Sequence, residues 1–161
     1  MPGSDAALPV LAYLRRKLTG TLRPEDRTHM RYPTPISELL GFHIVDVGEG
    51  TASVRVEVDA VLHGNQQGTV HGGFLVELAD AAIGTAHSTL MRIGESFTSI
   101  DIRAAFLRPV WSGGLVATAR PAHSGRTITH YVCDIVRADG KPVATVTSTV
   151  MTLRGESAAG R

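Results

Sequence analysis

The sequence predicts an α+β domain in which one long helix is wrapped by a curved antiparallel sheet. Three observations carry this reading. From about Gly73 to Leu90 there is no proline, and between Phe74 and Ala86 only Glu77, Asp80 and Thr85 are clearly polar. A helix apolar nearly all round needs cover nearly all round, which one flat sheet does not give. On both sides of it, runs rich in Val, Ile and Thr alternate apolar and polar residues at the period of a half-buried strand. The element order is strand, strand, helix, then four strands.

Taken in order, residues 1–31 read as an N-terminal extension. Within it "LPVLAYLRRKLTG" suits a short amphipathic helix ending at Gly20. Pro33 and Pro35 break any helix, and Ser37 can start a short turn carrying Leu39 and Leu40. The main domain is expected over 32–153. "FHIVDV", the turn "GEG" and "TASVRVEVD" form a hairpin, with Val54, Val56 and Val58 alternating against Ser53, Arg55, Glu57 and Asp59. The segment "AVLHGNQQGTVHGG" reads as a loop leading to the helix. "SFTSIDIRAAFLRP" stops at Pro109; "GGLVATARPAH" turns at Ser124-Gly125 into "RTITHYVCDIVR", and Asp139-Gly140 turns into "KPVATVTSTVMTL". Residues 154–161 are expected to be a flexible tail.

Composition excludes several classes. With 161 residues, 43% of them hydrophobic and 19% charged, the chain suits one soluble globular domain rather than a disordered one. A net charge of +1 without a basic block, and only 5% aromatic residues, give no surface for nucleic acid. No run approaches the ~20 apolar residues of a membrane span, and no signal-type run opens the chain, so a cytoplasmic location is expected by default. The lone Cys133 lies in an alternating strand and reads as a buried structural thiol. The seven histidines are dispersed, without ligand spacing, so no metal is expected.

Chemistry gathers on the long helix. An unpaired carboxylate is expensive inside a buried element, so Asp80 must be paired, protonated or open to a cleft. Glu77 precedes it by three residues, about 60° away around the axis, with Gly84 and His87 further along that side. From the pattern alone Asp80 serves equally well as a structural acid bonded to a neighbouring strand or subunit, and Glu77 reads better as an acid at a subunit boundary. Gly72 and Gly73 open the helix with N–H groups that a ligand can approach, and such groups favour negative charge. They can stabilise the oxyanion of an acyl transfer, while an acid further along the helix activates water. Taken alone, the two glycines require nothing beyond a tight turn.

The residues together are more specific. Asn65, Gly68, Val70-His71-Gly72-Gly73 and Leu78-Ala79-Asp80 spell N-x-x-G-x-V-H-G-G-x-x-x-x-L-A-D, and "FLRP" (Phe106–Pro109) is followed by a glycine-led strand. This resembles the hotdog-fold acyl-CoA thioesterases of the phenylacetate-pathway (PaaI) type, over roughly residues 36–153. The resemblance implies a long central helix wrapped by a six-stranded antiparallel sheet. It also implies a homodimer, or a dimer-of-dimers tetramer, with the active site between subunits and no cofactor. By the same resemblance Asp80 matches the catalytic carboxylate, as general base or nucleophile. Gly72 matches the residue whose N–H polarises the thioester carbonyl, and Asn65 the asparagine that holds the carbonyl or the water. His71 matches the motif histidine that shapes the loop at the substrate, Gly73 follows it, and Ser99 falls near a position that contacts the water or leaving group. Coenzyme A phosphates would seek cations such as Arg108, Arg126 or Lys141. Glu77 is not at the catalytic position.

Other chemistries fit less well. A hotdog hydratase would use an acid and a histidine before the helix; Asp59, His63 and His71 lie there, but not in the usual order. A Ser-His-Asp hydrolase would need a G-x-S-x-G elbow, which does not occur. The alternative to an acyl-CoA thioesterase is a non-catalytic acyl-CoA-binding or regulatory hotdog protein. Neither the motif nor the composition identifies the acyl group.

Overall fold

The computed structural model describes residues 7–160; residues 1–6 of the expected extension and residue 161 of the expected tail lie outside the described residues. The element order matches the expected one. Strands β1 (His43–Gly48) and β2 (Thr51–Asp59) precede the long helix, and β3 (Ser96–Phe106), β4 (Ser112–Ser124), β5 (Ile128–Arg137) and β6 (Pro142–Leu153) follow it. The six strands form one sheet in the order β1-β2-β4-β5-β6-β3, with every neighbouring pair antiparallel. Among the described residues four α-helices occur in chain order: α1 (Val10–Thr19), α2 (Pro35–Leu40), α3 (Ala60–His63) and the long α4 (Gly72–Ser88). This is the hotdog arrangement, α4 being the filling and the sheet its wrap.

Alternation places the core. Val54, Val56 and Val58 of β2 are buried, whereas Arg55, Glu57 and Asp59 between them are exposed. Leu115, Ala117 and Ala119 of β4 and Tyr131, Cys133 and Ile135 of β5 continue the same layer. Helix α4 lies against it through Leu75, Leu78, Ala79, Ala82, Ile83 and Ala86. The alanines keep the helix axis close to the sheet, so each strand of the layer can reach it. Near the end of α4, His87 is 1% exposed, bonded by Nδ1 to the Tyr131 hydroxyl (3.1 Å) and by Nε2 to Thr152 Oγ1 (2.9 Å). Burial pushes this imidazole down to about 4, so it is neutral at physiological pH.

The N-terminal segment is tied to this body. Val10 and Leu14 of α1 join the hydrophobic core, and α1 packs on β1. The helix ends at Gly20 in the left-handed conformation (φ 69°), whose N–H is donated to the carbonyls of Arg16 and Lys17. After it, Asp26, 6% exposed, accepts from Arg16 Nη1 (3.0 Å), Arg23 Nη2 (3.1 Å) and the Arg23 N–H (2.9 Å). The Arg23 N–H and the two guanidinium groups hold its carboxyl down to about 2. Amphipathicity alone foretold the helix but not which surface it covers.

Two local departures from the expected elements have simple causes. Pro35 starts a helix instead of preventing one, because it occupies the first turn of α2, where proline costs nothing, and the Thr34 side chain caps that turn. The loop before α4 contains the short α3, capped by Asp59, whose carboxylate accepts from Val61 N–H (2.8 Å). Residues 155–158 of the tail form a single 3₁₀ turn.

The two sheet edges differ. β1 is short, bulged between Ile44 and Asp46, and flanked by α1. β3 is long, and its residues 99–106 are all exposed, including Ile100 (55%), Ile102 and Phe106. A long, apolar, unpaired edge is a template for another strand.

Candidate active site

Asp80 sits in the middle of α4, half-buried, and lines a cavity of about 880 Å³ together with Glu77, Ala81, Gly84 and Thr85 of the same helix. The opposite lining comes from the N-terminal segment, including Leu14, Met30, Ile36 and Phe42. Burial pushes the Asp80 carboxyl above the ordinary carboxylate value, and a hydrogen bond from Ser99 Oγ to Oδ1 (3.5 Å) works against that shift. Glu77 is raised as well, first by burial and then by the charge of Asp80. Gly84 is not forced by crowding: a Cβ there would meet only Phe97, at an ordinary 3.8 Å. It leaves the cavity wall low at that point.

The start of α4 is built for one free donor. His71 is the N-cap, its Nδ1 accepting from Gly73 N–H at 2.9 Å. That bond consumes the second glycine donor and fixes the tautomer, with any ring proton on Nε2. The Gly72 N–H has no backbone partner among the described residues. A Cβ at Gly72 would stand 2.8 Å from the tip of the exposed Phe106 ring, so a side chain there requires only that this ring swing aside. Thus, of the expected pair, Gly72 is the available donor and Gly73 serves the cap.

Asn65 makes three hydrogen bonds within its own loop. Its Oδ1 accepts from Gln67 N–H (2.9 Å) and Thr69 N–H (3.2 Å), and its Nδ2 donates to Thr69 Oγ1 (3.0 Å). Within one chain these bonds fold the loop that delivers His71 and Gly72, and leave one Nδ2 proton unused. The hydratase-like acid and histidine are likewise engaged: Asp59 caps α3, and His63 Nδ1 accepts from Asp59 N–H at 3.1 Å.

One chain does not bring the expected residues together. Asp80 and Gly72 are eight positions apart on one helix, about 12 Å along its axis at ~1.5 Å per residue. A carbonyl on the Gly72 N–H is therefore out of reach of a water on Asp80 of the same chain. Ser99, on the exposed β3 edge, does reach Asp80.

Among the other candidates, Arg108 Nη1 donates to the Pro142 carbonyl (2.8 Å), beside Lys141, so those two cations share one end of the sheet. Arg126 lies before β5 and Lys141 beyond its end, on the order of 30 Å apart at ~3.3 Å per strand residue. Cys133 is fully buried, and burial pushes its thiol up to about 12, far from a nucleophile's range. The feature that sequence reasoning passed over is His29, which lines the cavity with both ring nitrogens shielded from solvent and without a hydrogen-bond partner among the described residues. No local pattern around it could have signalled this.

Comparison with known proteins identifies the family and the fold. Residues 67–144 match the family model described as the thioesterase superfamily. The Escherichia coli PaaI protein from the phenylacetic acid degradation operon is similar at 31% identity and a TM-score of 0.70, covering 76% of this chain and 87% of that one. A Haemophilus influenzae thioesterase is similar at 30% identity and a TM-score of 0.70, over 76% and 85% of the two chains. A Thermus thermophilus protein reaches 36% identity and a TM-score of 0.67, over 76% and 98%.

Proposed function

The chain belongs to the thioesterase superfamily and is a hydrolase of that family; from this we propose that it cleaves acyl-CoA thioesters, using Asp80 of one subunit and the Gly72 N–H of its partner. The observation that carries the reading is the half-buried carboxylate of Asp80, opening with Glu77 beside it from a largely apolar helix onto a large cavity and reached by Ser99.

In this mechanism the partner's Gly72 N–H points at the thioester oxygen, in the field of a helix N-terminus that favours negative charge. The ionised Asp80 takes a proton from water, and the resulting hydroxide attacks the carbonyl carbon. Charge moves onto the oxygen at the Gly72 N–H. Collapse breaks the C–S bond, and the proton on Asp80 passes to the departing thiolate, giving a free acid and CoA. Ser99 steadies the charged form of Asp80. His71 and Asn65 hold the loop that presents Gly72. A carboxylate raised by burial is a stronger base than one in water, which suits this task.

The β3 edge supports the assembly the mechanism needs. Pairing of two β3 strands about a twofold axis would bury Ile100 and Ile102, remove the open edge, and bring one chain's Ser99–Asp80 pair towards the other. We assign the functional unit as at least a homodimer on these grounds.

The test is release of free thiol from a panel of acyl-CoAs. Turnover that falls about a hundredfold or more in Asp80→Asn, with the fold retained, supports hydrolysis at this site. Tight binding without turnover by the unaltered protein would instead make it an acyl-CoA binder.

A further inference from the structure

Asp80 shares its cavity with a second carboxylate that the mechanism does not use. Glu77 lies one turn earlier on α4 and lines the same 880 Å³ space. Side chains three apart on a helix stand about 5–6 Å from each other at their Cβ atoms. Glu77 is half-buried, and among the described residues no hydrogen bond or counter-charge offsets that burial. The charge that acts on it is the like charge of Asp80, and burial and that charge both raise its pKa. An apolar residue at this position would avoid the cost of holding an unpaired acid there.

The other charged side chains of the cavity do not neutralise this wall. Lys17, Arg31 and Glu38 belong to the N-terminal segment and are exposed, and Glu95 is paired to Arg154 at 2.8 Å. Among the described residues no cation acts on Glu77 or Asp80. The helix wall therefore presents two negative charges to a space whose facing side carries Leu14, Met30 and Phe42. Charges in such a partly buried, low-dielectric place are screened far less than charges on an open surface. With the thioester carbonyl beside Asp80, the acyl group occupies this space, and a charge at the end of a short chain lies within a few ångströms of Glu77.

We propose that Glu77 is a charge filter for the acyl group, repelling chains that end in a carboxylate and admitting neutral or cationic ones. The substrates are then monocarboxylic acyl thioesters; amine-terminated chains are accepted and the half-thioesters of dicarboxylic acids are excluded. The proposal rests on the placement of the reacting carbonyl at Asp80 given above.

The experiment uses three acyl-CoAs of one chain length that differ in terminal charge: hexanoyl-CoA, adipoyl-CoA and 6-aminohexanoyl-CoA, with 6-hydroxyhexanoyl-CoA as the neutral polar control. Values of kcat/KM are measured on the unaltered protein, Glu77→Gln and Glu77→Asp, and Kd is measured for the same substitutions on an Asp80→Asn background. Glutamine keeps the size of the side chain and removes its charge, so the fold is retained. The unaltered protein should favour hexanoyl-CoA over adipoyl-CoA by about tenfold or more, and Glu77→Gln should reduce that preference by about tenfold. The 6-aminohexanoyl-to-hexanoyl ratio should fall in Glu77→Gln, the 6-hydroxyhexanoyl-to-hexanoyl ratio should stay in place, and Glu77→Asp should restore the discrimination. A merely structural role for Glu77 would not move the anionic and cationic ratios in opposite directions. Charge preferences that are absent from the unaltered protein, or unchanged in Glu77→Gln in both kcat/KM and Kd, overturn the proposal. If no thioester is turned over at all, the hydrolase reading fails separately, and the Kd preferences still decide this one.

Discussion

Ser99 Oγ lies 3.5 Å from Asp80 Oδ1, so the edge strand β3 reaches across to the one helix carboxylate that the catalytic proposal depends on. Two influences oppose each other there. Burial raises the Asp80 pKa, and the serine hydroxyl, which stabilises the charged form, lowers it. The reacting form is the ionised one, so activity rises as pH rises through this pKa, and the acid limb of kcat/KM should lie above the usual carboxylate range. Ser99→Ala removes the lowering influence. Its acid limb should move to higher pH, as measured by a pH–rate profile on one good substrate. A limb that stays in place would separate Ser99 from the catalytic acid.

The same raised pKa makes Asp80 a stability liability. A carboxyl whose folded pKa exceeds its unfolded value near 3.8 favours the fold below that value, and the benefit is lost as pH rises through the folded pKa. At neutral pH the ionised group is a net cost. Asp80→Asn should therefore melt higher than the unaltered protein at neutral pH, by on the order of 2–4 °C, with the gain shrinking towards pH 3. Thermal melts across this range check it.

The β3 edge carries the dimer. Ile100 and Ile102 are exposed on an edge strand paired only with β6, and two aspartates there would oppose each other across a twofold pairing. The Ile100→Asp/Ile102→Asp double variant should run as a folded monomer by light scattering, with specific activity reduced by about a hundredfold or more. A fully active monomer would contradict the two-chain site.

His87 predicts an acid weakness. Its imidazole is depressed to about 4 while bridging Tyr131 and Thr152. An unfolded chain takes up this proton near pH 6.5 and the folded one only near 4, so the fold loses stability as pH falls through that window. Denaturant midpoints should drop between these values in the unaltered protein and drop less steeply in His87→Gln.

What the sequence disclosed follows from periodicity and spacing. The alternation of Val54, Val56 and Val58 and the apolar course from Phe74 to Ala86 are local patterns, and the strands and α4 appear where those patterns lie. Asp80 was conspicuous because a charge on such a helix needs a reason. Contacts between distant segments left no such trace. Nothing local says that Val10 and Leu14 complete the core, or that the His29 ring nitrogens are buried with no partner among the described residues. The competing uses of one side chain were also invisible: Asn65 has its carbonyl oxygen taken by two loop N–H groups, and His71 spends Nδ1 on Gly73. Proline carries both breaker and starter meanings, and only the position of Pro35 directly after the Thr34 cap resolves them.

The most direct test of the two-chain site is complementation. Asp80→Asn removes the base, and Gly72→Pro removes the N–H at a first-turn position that tolerates proline. Each variant alone should be nearly inactive. Co-expressed in equal amounts, mixed dimers keep one site with both Asp80 and the opposing Gly72 intact, so activity should return to about a quarter of the unaltered level. No recovery in verified mixed dimers would place both groups in a single-chain site or outside the chemistry, and would contradict the account.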